Sequence, residues 1–275
     1  MHNAALEAVG LEGWRYQRLP LPPDLFAEAV RALPAVGFAG INVTIPHKGA
    51  ALALADDATA AARAIGAANT LTFATDGAVR ADNTDAPGLL AALGDERPRT
   101  AVVLGAGGSA RAVVHALRSI GASVSVWNRS AARARSLAGE FGVEAVQDVP
   151  TADLLVNCTS VGLGDPSSTF KDLPLEADAL GEYACVVDLV YRAGGTGLQR
   201  EARRRGSRVI DGVEVLVHQG ALSFERWTGR AAPLEVMRRA ARGRASPDDD
   251  PRARSPVSAP GPATHGGGGR DGGHR

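Results

Sequence analysis

Lys48, in the stretch "INVTIPHKGA" (41–50), is one of two lysines in a chain with 30 basic residues; every other positive side chain except Lys171 is arginine. Arginine stays protonated in any protein environment, whereas a partly buried lysine can give up a proton and take it back. Lys48 is therefore a candidate general acid/base, with chance composition as the alternative. His47 is a rival, because imidazole is the usual acid/base near neutrality. In an extended backbone, however, consecutive side chains face opposite ways, so His47 is expected to point away from Lys48.

A second chemistry lies at "VVLGAGGSARAV" (102–113), where Gly105-x-Gly107-x-x-Ala110 follows an apolar strand-like run and opens a helical pattern. That context is the one a dinucleotide fingerprint requires. Gly105 permits a tight turn, Gly107 lets backbone approach a pyrophosphate, and Ala110 lets the helix pack closely on the strand. The amides from Ala106 through Gly108 and Ser109 then meet the phosphates at the positive end of a helix. An NAD site usually places an acid about twenty residues further on, for the ribose hydroxyls. Here "VWNRS" supplies Asn128, Arg129 and Ser130, and Arg133 follows one turn later. Two guanidiniums and a hydroxyl suit a dianionic 2′-phosphate, so NADP is the expected cofactor.

The elements that position these residues follow from periodicity. "GINVTI" (40–45) reads as a strand, the alanine-rich run 49–66 as one or two helices, and "NTLTF" with "GAVRAD" as a hairpin. "DAPGLLAALG" (85–94) reads as a helix with Asp85 as its N-cap. From residue 100, strand, glycine turn, helix and strand alternate as in a parallel sheet, through "ADLLVNCTS" and "YACVVDLVY" to "RVIDG". Two helical patterns close the ordered part. The glycine-, proline- and charge-rich stretch 243–275 cannot bury enough apolar surface to order itself, and its His265 and His274 make a poor metal site.

Thirty acidic residues balance thirty basic ones, so no global field draws the chain to nucleic acid or to anionic membrane. No run approaches the roughly 20 apolar residues of a membrane span, and the start lacks a signal pattern. A cytoplasmic protein with small-molecule partners, monomeric or homodimeric, is expected. Cys158 and Cys185 lie in apolar runs and read as buried, reduced thiols.

"NVTIPHK", "GAANT", "DNTDAPG", "GAGGSARA", "NRSAARA", "NCTSVGL", "DLVYRAGGTGLQREA" and "DGVEVLVHQGALSFERWTG" occur in an order and spacing that resemble the shikimate dehydrogenase family, over residues 1 to about 240. The resemblance implies two α/β domains flanking a cleft: an N-terminal substrate domain and a Rossmann-type NADP-binding domain. The corresponding boundaries are 1–86 for the substrate domain, 87–212 for the Rossmann domain, and 213–242 for C-terminal helices packing back on the first. By resemblance, Lys48 is the acid/base for reduction of 3-dehydroshikimate, with Asp85 as its partner. Thr44, Asn69, Tyr191 and Gln219 are implied substrate contacts. Thr159, Leu189 and Gly212 join the glycine turn and the 128–133 segment as implied cofactor contacts.

The sequence departs from the family at Ala193, often proline there, and at Glu214 and Val215, often glycine and methionine. It also opens at "MHNAAL", where the family is already entering a helix. The first strand and a Ser-x-Ser pair that contacts the substrate carboxylate are missing, so N-terminal truncation and weak turnover are expected. A quinate/shikimate dehydrogenase of broader range and a non-catalytic NADP-binding paralogue remain the alternatives.

Overall fold

The computed structural model describes residues 1–164 and 169–243. The tail from 244 onward, with His265 and His274, lies outside the described residues.

The first part of the chain contains α1 (His2–Ala8), α2 (Phe26–Ala32), β1 (Gly40–Asn42), α3 (Lys48–Leu54), β2 (Asp57–Ala58), α4 (Ala60–Ile65), β3 (Thr70–Phe73), β4 (Val79–Asp82) and α5 (Asp85–Leu93). Its strands form a sheet of order β1-β3-β4-β2, with β3 antiparallel to both neighbours and β2 parallel to β4. Phe26, Val30, Ala51, Leu71 and Phe73 fill the core on this sheet.

The second part runs β5 (Thr100–Leu104), α6 (Gly108–Ser119), β6 (Ser123–Trp127), α7 (Ala131–Phe141), β7 (Glu144–Ala145), β8 (Leu154–Asn157), α8 (Thr169–Asp172), β9 (Cys185–Asp188), α9 (Gly197–Arg204) and β10 (Arg208–Asp211). All six strands are parallel, in the order β10-β9-β8-β5-β6-β7. Helices cover both faces, so Val102, Val103 and Leu104 of β5 are fully buried, as a central parallel strand demands. Strand order reverses between β5 and β8. The turns that follow them therefore part, leaving a crevice at the carboxyl edge of the sheet.

The chain then returns to the first sheet. α10 (Gly212–Thr228) and α11 (Leu234–Gly243) follow β10, and Val217, Phe224 and Met237 pack with Ala5 and Leu6 of α1. α10 lies so close to α5 that a Cβ on Gly88 would sit 2.8 Å from Gln219 backbone nitrogen. Near its end, Trp227 Nε1 donates to Leu71 O of β3 at 3.0 Å.

Three expectations are corrected. The strand expected over 40–45 stops at Asn42, because Pro46 has no N–H for a ladder and the chain turns, with His47 N donating to Thr44 O at 2.9 Å. His47 is consequently not extended: its φ is −87° and its ψ −6°. Its ring is held instead by stacking on Phe26, 4.5 Å between centroids, and by a 3.0 Å contact of Nε2 with Leu21 O. Asp85 is not an N-cap. Thr84 occupies that position, and Asn83 Oδ1 accepts from the amides of Asp85 (3.1 Å) and Ala86 (3.4 Å), which leaves the Asp85 carboxylate available for other partners. Both cysteines are free thiols; burial pushes that of Cys185 up to about 11.

Candidate active site

Lys48 opens α3, and only 11 % of its side chain is exposed. Its Nζ donates to Asp85 Oδ2 at 2.6 Å and to Ser109 Oγ at 3.1 Å. The other Asp85 oxygen accepts from Asn69 Nδ2 at 2.8 Å. Asn69 is fixed in turn: its Oδ1 accepts from Thr84 N at 2.7 Å, and Nδ2 also reaches Thr84 Oγ1 at 3.0 Å and Gln219 Oε1 at 3.2 Å. Asn69 is only 3 % exposed, so this satisfaction of its amide is what burial of a polar group requires. The ammonium on α3 is thus held directly by α5 and α6, and Asn69, just ahead of β3, links Asp85 to Gln219 of α10.

Thr44 and Tyr191 stand apart from this network. Both are exposed, Tyr191 by 53 %, and neither side chain hydrogen-bonds within it. Three residues that sequence reasoning does not name border it. Thr84 links Asn69 to Gln219, while Tyr16 OH donates to Asn42 Oδ1 at 3.1 Å, and Asn42 Nδ2 reaches Thr70 Oγ1 and Ser223 Oγ. Burial, and then Tyr191 nearby, push the Tyr16 phenol up to about 12. Of these only Asn42 carried a signal, a lone amide in the apolar run "GINVTI".

The crevice above β5 suits a dinucleotide. Gly105 has φ +115°, in the left-handed region that glycine tolerates, and its N–H donates to Trp127 O at 2.7 Å. Gly107 caps α6, and no atom lies within 4 Å of where its Cβ would be, so a phosphate could approach the backbone there. Gly108 and Ser109 begin α6, where unpaired amides and the positive dipole end coincide. Ala106 completes the turn, and Ala110 is fully buried against the sheet. At the next helix, Ser130 caps α7 and Asn128 Nδ2 donates to Ser130 O at 3.0 Å. Arg129 and Arg133 are exposed there and have no carboxylate partner among the described residues. Thr159, Leu189 and Gly212 follow β8, β9 and β10. Thr159 Oγ1 donates to Asn157 Oδ1 at 2.7 Å, and a Cβ on Gly212 would meet Leu189 O at 2.5 Å. Asp188 anchors the loop after β9, accepting from Asn157 Nδ2 at 2.9 Å, Thr196 Oγ1 at 2.5 Å and Gln199 Nε2 at 3.3 Å; burial raises its carboxyl above the ordinary carboxylate range.

Three family profiles match this chain: "Shikimate dehydrogenase substrate binding domain" over 1–71, "Shikimate / quinate 5-dehydrogenase" over 91–161 and "Shikimate 5'-dehydrogenase C-terminal domain" over 212–242. A shikimate dehydrogenase (NADP(+)) of Methylobacterium radiotolerans is 47 % identical, over 83 % of this chain and 86 % of its own length. The chain belongs to the shikimate dehydrogenase family. One from Thermus thermophilus is 46 % identical, over 88 % of this chain and 91 % of its own. The crystal structure of shikimate 5-dehydrogenase from Thermus thermophilus in complex with NADP(H) and shikimate superposes with a TM-score of 0.80, at 43 % identity, over 88 % of this chain and 92 % of that one. A 5-ketofructose reductase of Gluconobacter shares the fold at TM-score 0.78 and 32 % identity, over 88 % and 91 % of the two chains.

Within the shikimate dehydrogenase family, the departure at Glu214 acquires a local account. Arg238 of α11 donates to it at 2.7 Å and Arg242 at 3.3 Å, and the Arg238 guanidinium holds its carboxyl below the usual range. Glu214 thus ties α10 to α11. Val215 is buried in the core beneath the parallel sheet. Nothing in the structure explains Ala193. Among the described residues no helix is long and apolar enough to cross a membrane.

Proposed function

We propose that this chain catalyses the reversible, NADPH-dependent reduction of 3-dehydroshikimate to shikimate, with Lys48 as general acid/base. The observation that carries the reading is the Lys48–Asp85 pair at 2.6 Å, lodged against the first turn of the glycine-turn helix. When bound, NADPH supplies the hydride. Lys48 stabilises the alkoxide that develops at the reduced carbon and hands it a proton; in the oxidative direction it takes that proton back. Asp85 orients the ammonium, and Asn69 orients Asp85. Asn69, Gln219, Thr44 and Tyr191 contact the substrate's hydroxyl and carboxylate groups. Gly105 to Ala110 hold the pyrophosphate, Asn128 to Arg133 the 2′-phosphate, and Thr159, Leu189 and Gly212 the nicotinamide end. In this reading 1–86 with 213–242 form the substrate domain and 87–212 the cofactor domain.

Arginine at position 48 keeps the charge but cannot act as a base near neutrality. Lys48→Arg should therefore lower kcat about as much as Lys48→Ala, by roughly 10² to 10⁴, while NADPH still binds by fluorescence titration. An arginine variant with near-parental kcat refutes the acid/base role. Steady-state rates with shikimate, quinate and 5-ketofructose, each against NADP and NAD, test the substrate: shikimate with NADP should give the highest kcat/KM.

A further inference from the structure

We infer that Ser109 is a positioning residue for Lys48, its hydroxyl registering the ammonium against the helix that faces the cofactor. The inference rests on the reading of Lys48 as the acid/base. A lysine ammonium has three hydrogens. One goes to Asp85 Oδ2 at 2.6 Å and one to Ser109 Oγ at 3.1 Å, which leaves a single N–H for a substrate oxygen. Two fixed partners on different elements define the direction of that third bond; with Asp85 alone, the ammonium swings about one contact at the end of a four-carbon stem.

The stem is guided as well. A Cβ on Gly108 would lie 3.2 Å from Lys48 Cδ and 3.5 Å from its Cβ, so the methylenes of Lys48 rest on the one residue of α6 that has no side chain to displace them. Asp85 and Ser109 belong to different halves of the molecule: α5 follows the mixed sheet, whereas α6 follows the first strand of the parallel one. Because α6 is also the element whose amides face the crevice, the proton donor and the cofactor site are referenced to a single turn of helix. A reaction that needs hydride and proton delivered to one carbonyl depends on that alignment.

Ser109→Ala leaves the backbone amide in place and suits the first turn of a helix. The inference predicts that kcat falls about tenfold, while the NADPH dissociation constant, the shikimate KM and Tm stay close to parental. Ser109→Thr, which restores a hydroxyl, should recover most of the loss. In a Lys48→Ala background, Ser109→Ala should have no further effect on the residual rate, because the two residues act as one unit. Parental kcat in Ser109→Ala beside an inactive Lys48→Ala overturns the inference and leaves the acid/base reading intact. A rate loss of equal size in the Lys48→Ala background, or a loss confined to NADPH affinity, overturns it too. Parental turnover in Lys48→Ala overturns the acid/base reading and the inference together.

Discussion

Gly88→Ala tests how closely the substrate site depends on the packing of α5 against α10. On an exposed helix the change would stabilise, since alanine is favoured over glycine by about 1 kcal/mol. Here the new methyl would lie 2.8 Å from both the backbone nitrogen and the Cβ of Gln219, and 2.9 Å from its Cα. Carbon contacts are comfortable at about 3.5 to 4.0 Å, so the helices must part by roughly 1 Å. Two of the three obstructing atoms are backbone, and no rotamer change relieves them. Overpacking of this kind costs about 1 to 3 kcal/mol; set against the propensity gain, the net loss is on the order of 1 kcal/mol. For a chain of this size that lowers Tm by about 2 to 4 °C. The functional effect is more specific. Asp85 sits three residues before Gly88 and Gln219 is the residue struck, so the separation stretches the Asn69–Gln219 bond from 3.2 Å beyond hydrogen-bonding range. Shikimate KM should rise while the NADPH dissociation constant holds, measured by initial rates and fluorescence titration alongside a thermal melt. A variant with raised Tm and unchanged KM would refute the reasoning.

Arg129→Ala should weaken NADP by about 1.5 to 3 kcal/mol, the contribution of one charge-assisted contact, and leave NAD nearly unaffected; equal losses for both cofactors count against the 2′-phosphate assignment. His2 is 5 % exposed, stacked on Tyr16, and its Nδ1 has no hydrogen-bond partner among the described residues. Burial lowers its pKa from 6.5 to about 4. The unfolded chain therefore binds a proton below pH 6.5 that the folded chain does not accept until about pH 4. Stability should fall through that window as pH drops, by up to about 3 kcal/mol. Chemical denaturation of the parent and His2→Phe between pH 7 and 4 checks this; identical pH slopes for the two would sink it.

The parallel sheet was legible because its strands are apolar on both faces: "TAVVL" followed by a glycine turn has few other readings. β2 and β7, at two residues each, were not, since Asp57–Ala58 and Glu144–Ala145 carry no periodic signal and pair only because longer neighbours present an edge. Lys48 stood out by composition, yet its partner lies 37 positions away and was accessible only through motif resemblance. The acid at position 85 reads equally well as a cap or as a free carboxylate, and Asn83 decides between them by taking the amides itself. Ser109 was readable as backbone at a helix start. Its hydroxyl's contact with Lys48 is purely tertiary, and no local pattern encodes it.

α10 brings Gln219 to Asn69 across 150 positions and Trp227 to Leu71 across 156. During synthesis these partners are separated in time as well as in sequence. At about 5 to 20 residues per second, the first sheet leaves the ribosome roughly 7 to 30 s before the helix that closes it. The parallel sheet waits less, since its most widely separated neighbouring strands, β5 and β8, already meet when Ala101 pairs with Leu154. The half of the molecule made first is therefore finished last, and in the interval the surface that α10 will cover on α5 and β3 is open to chaperones, proteases and other nascent chains.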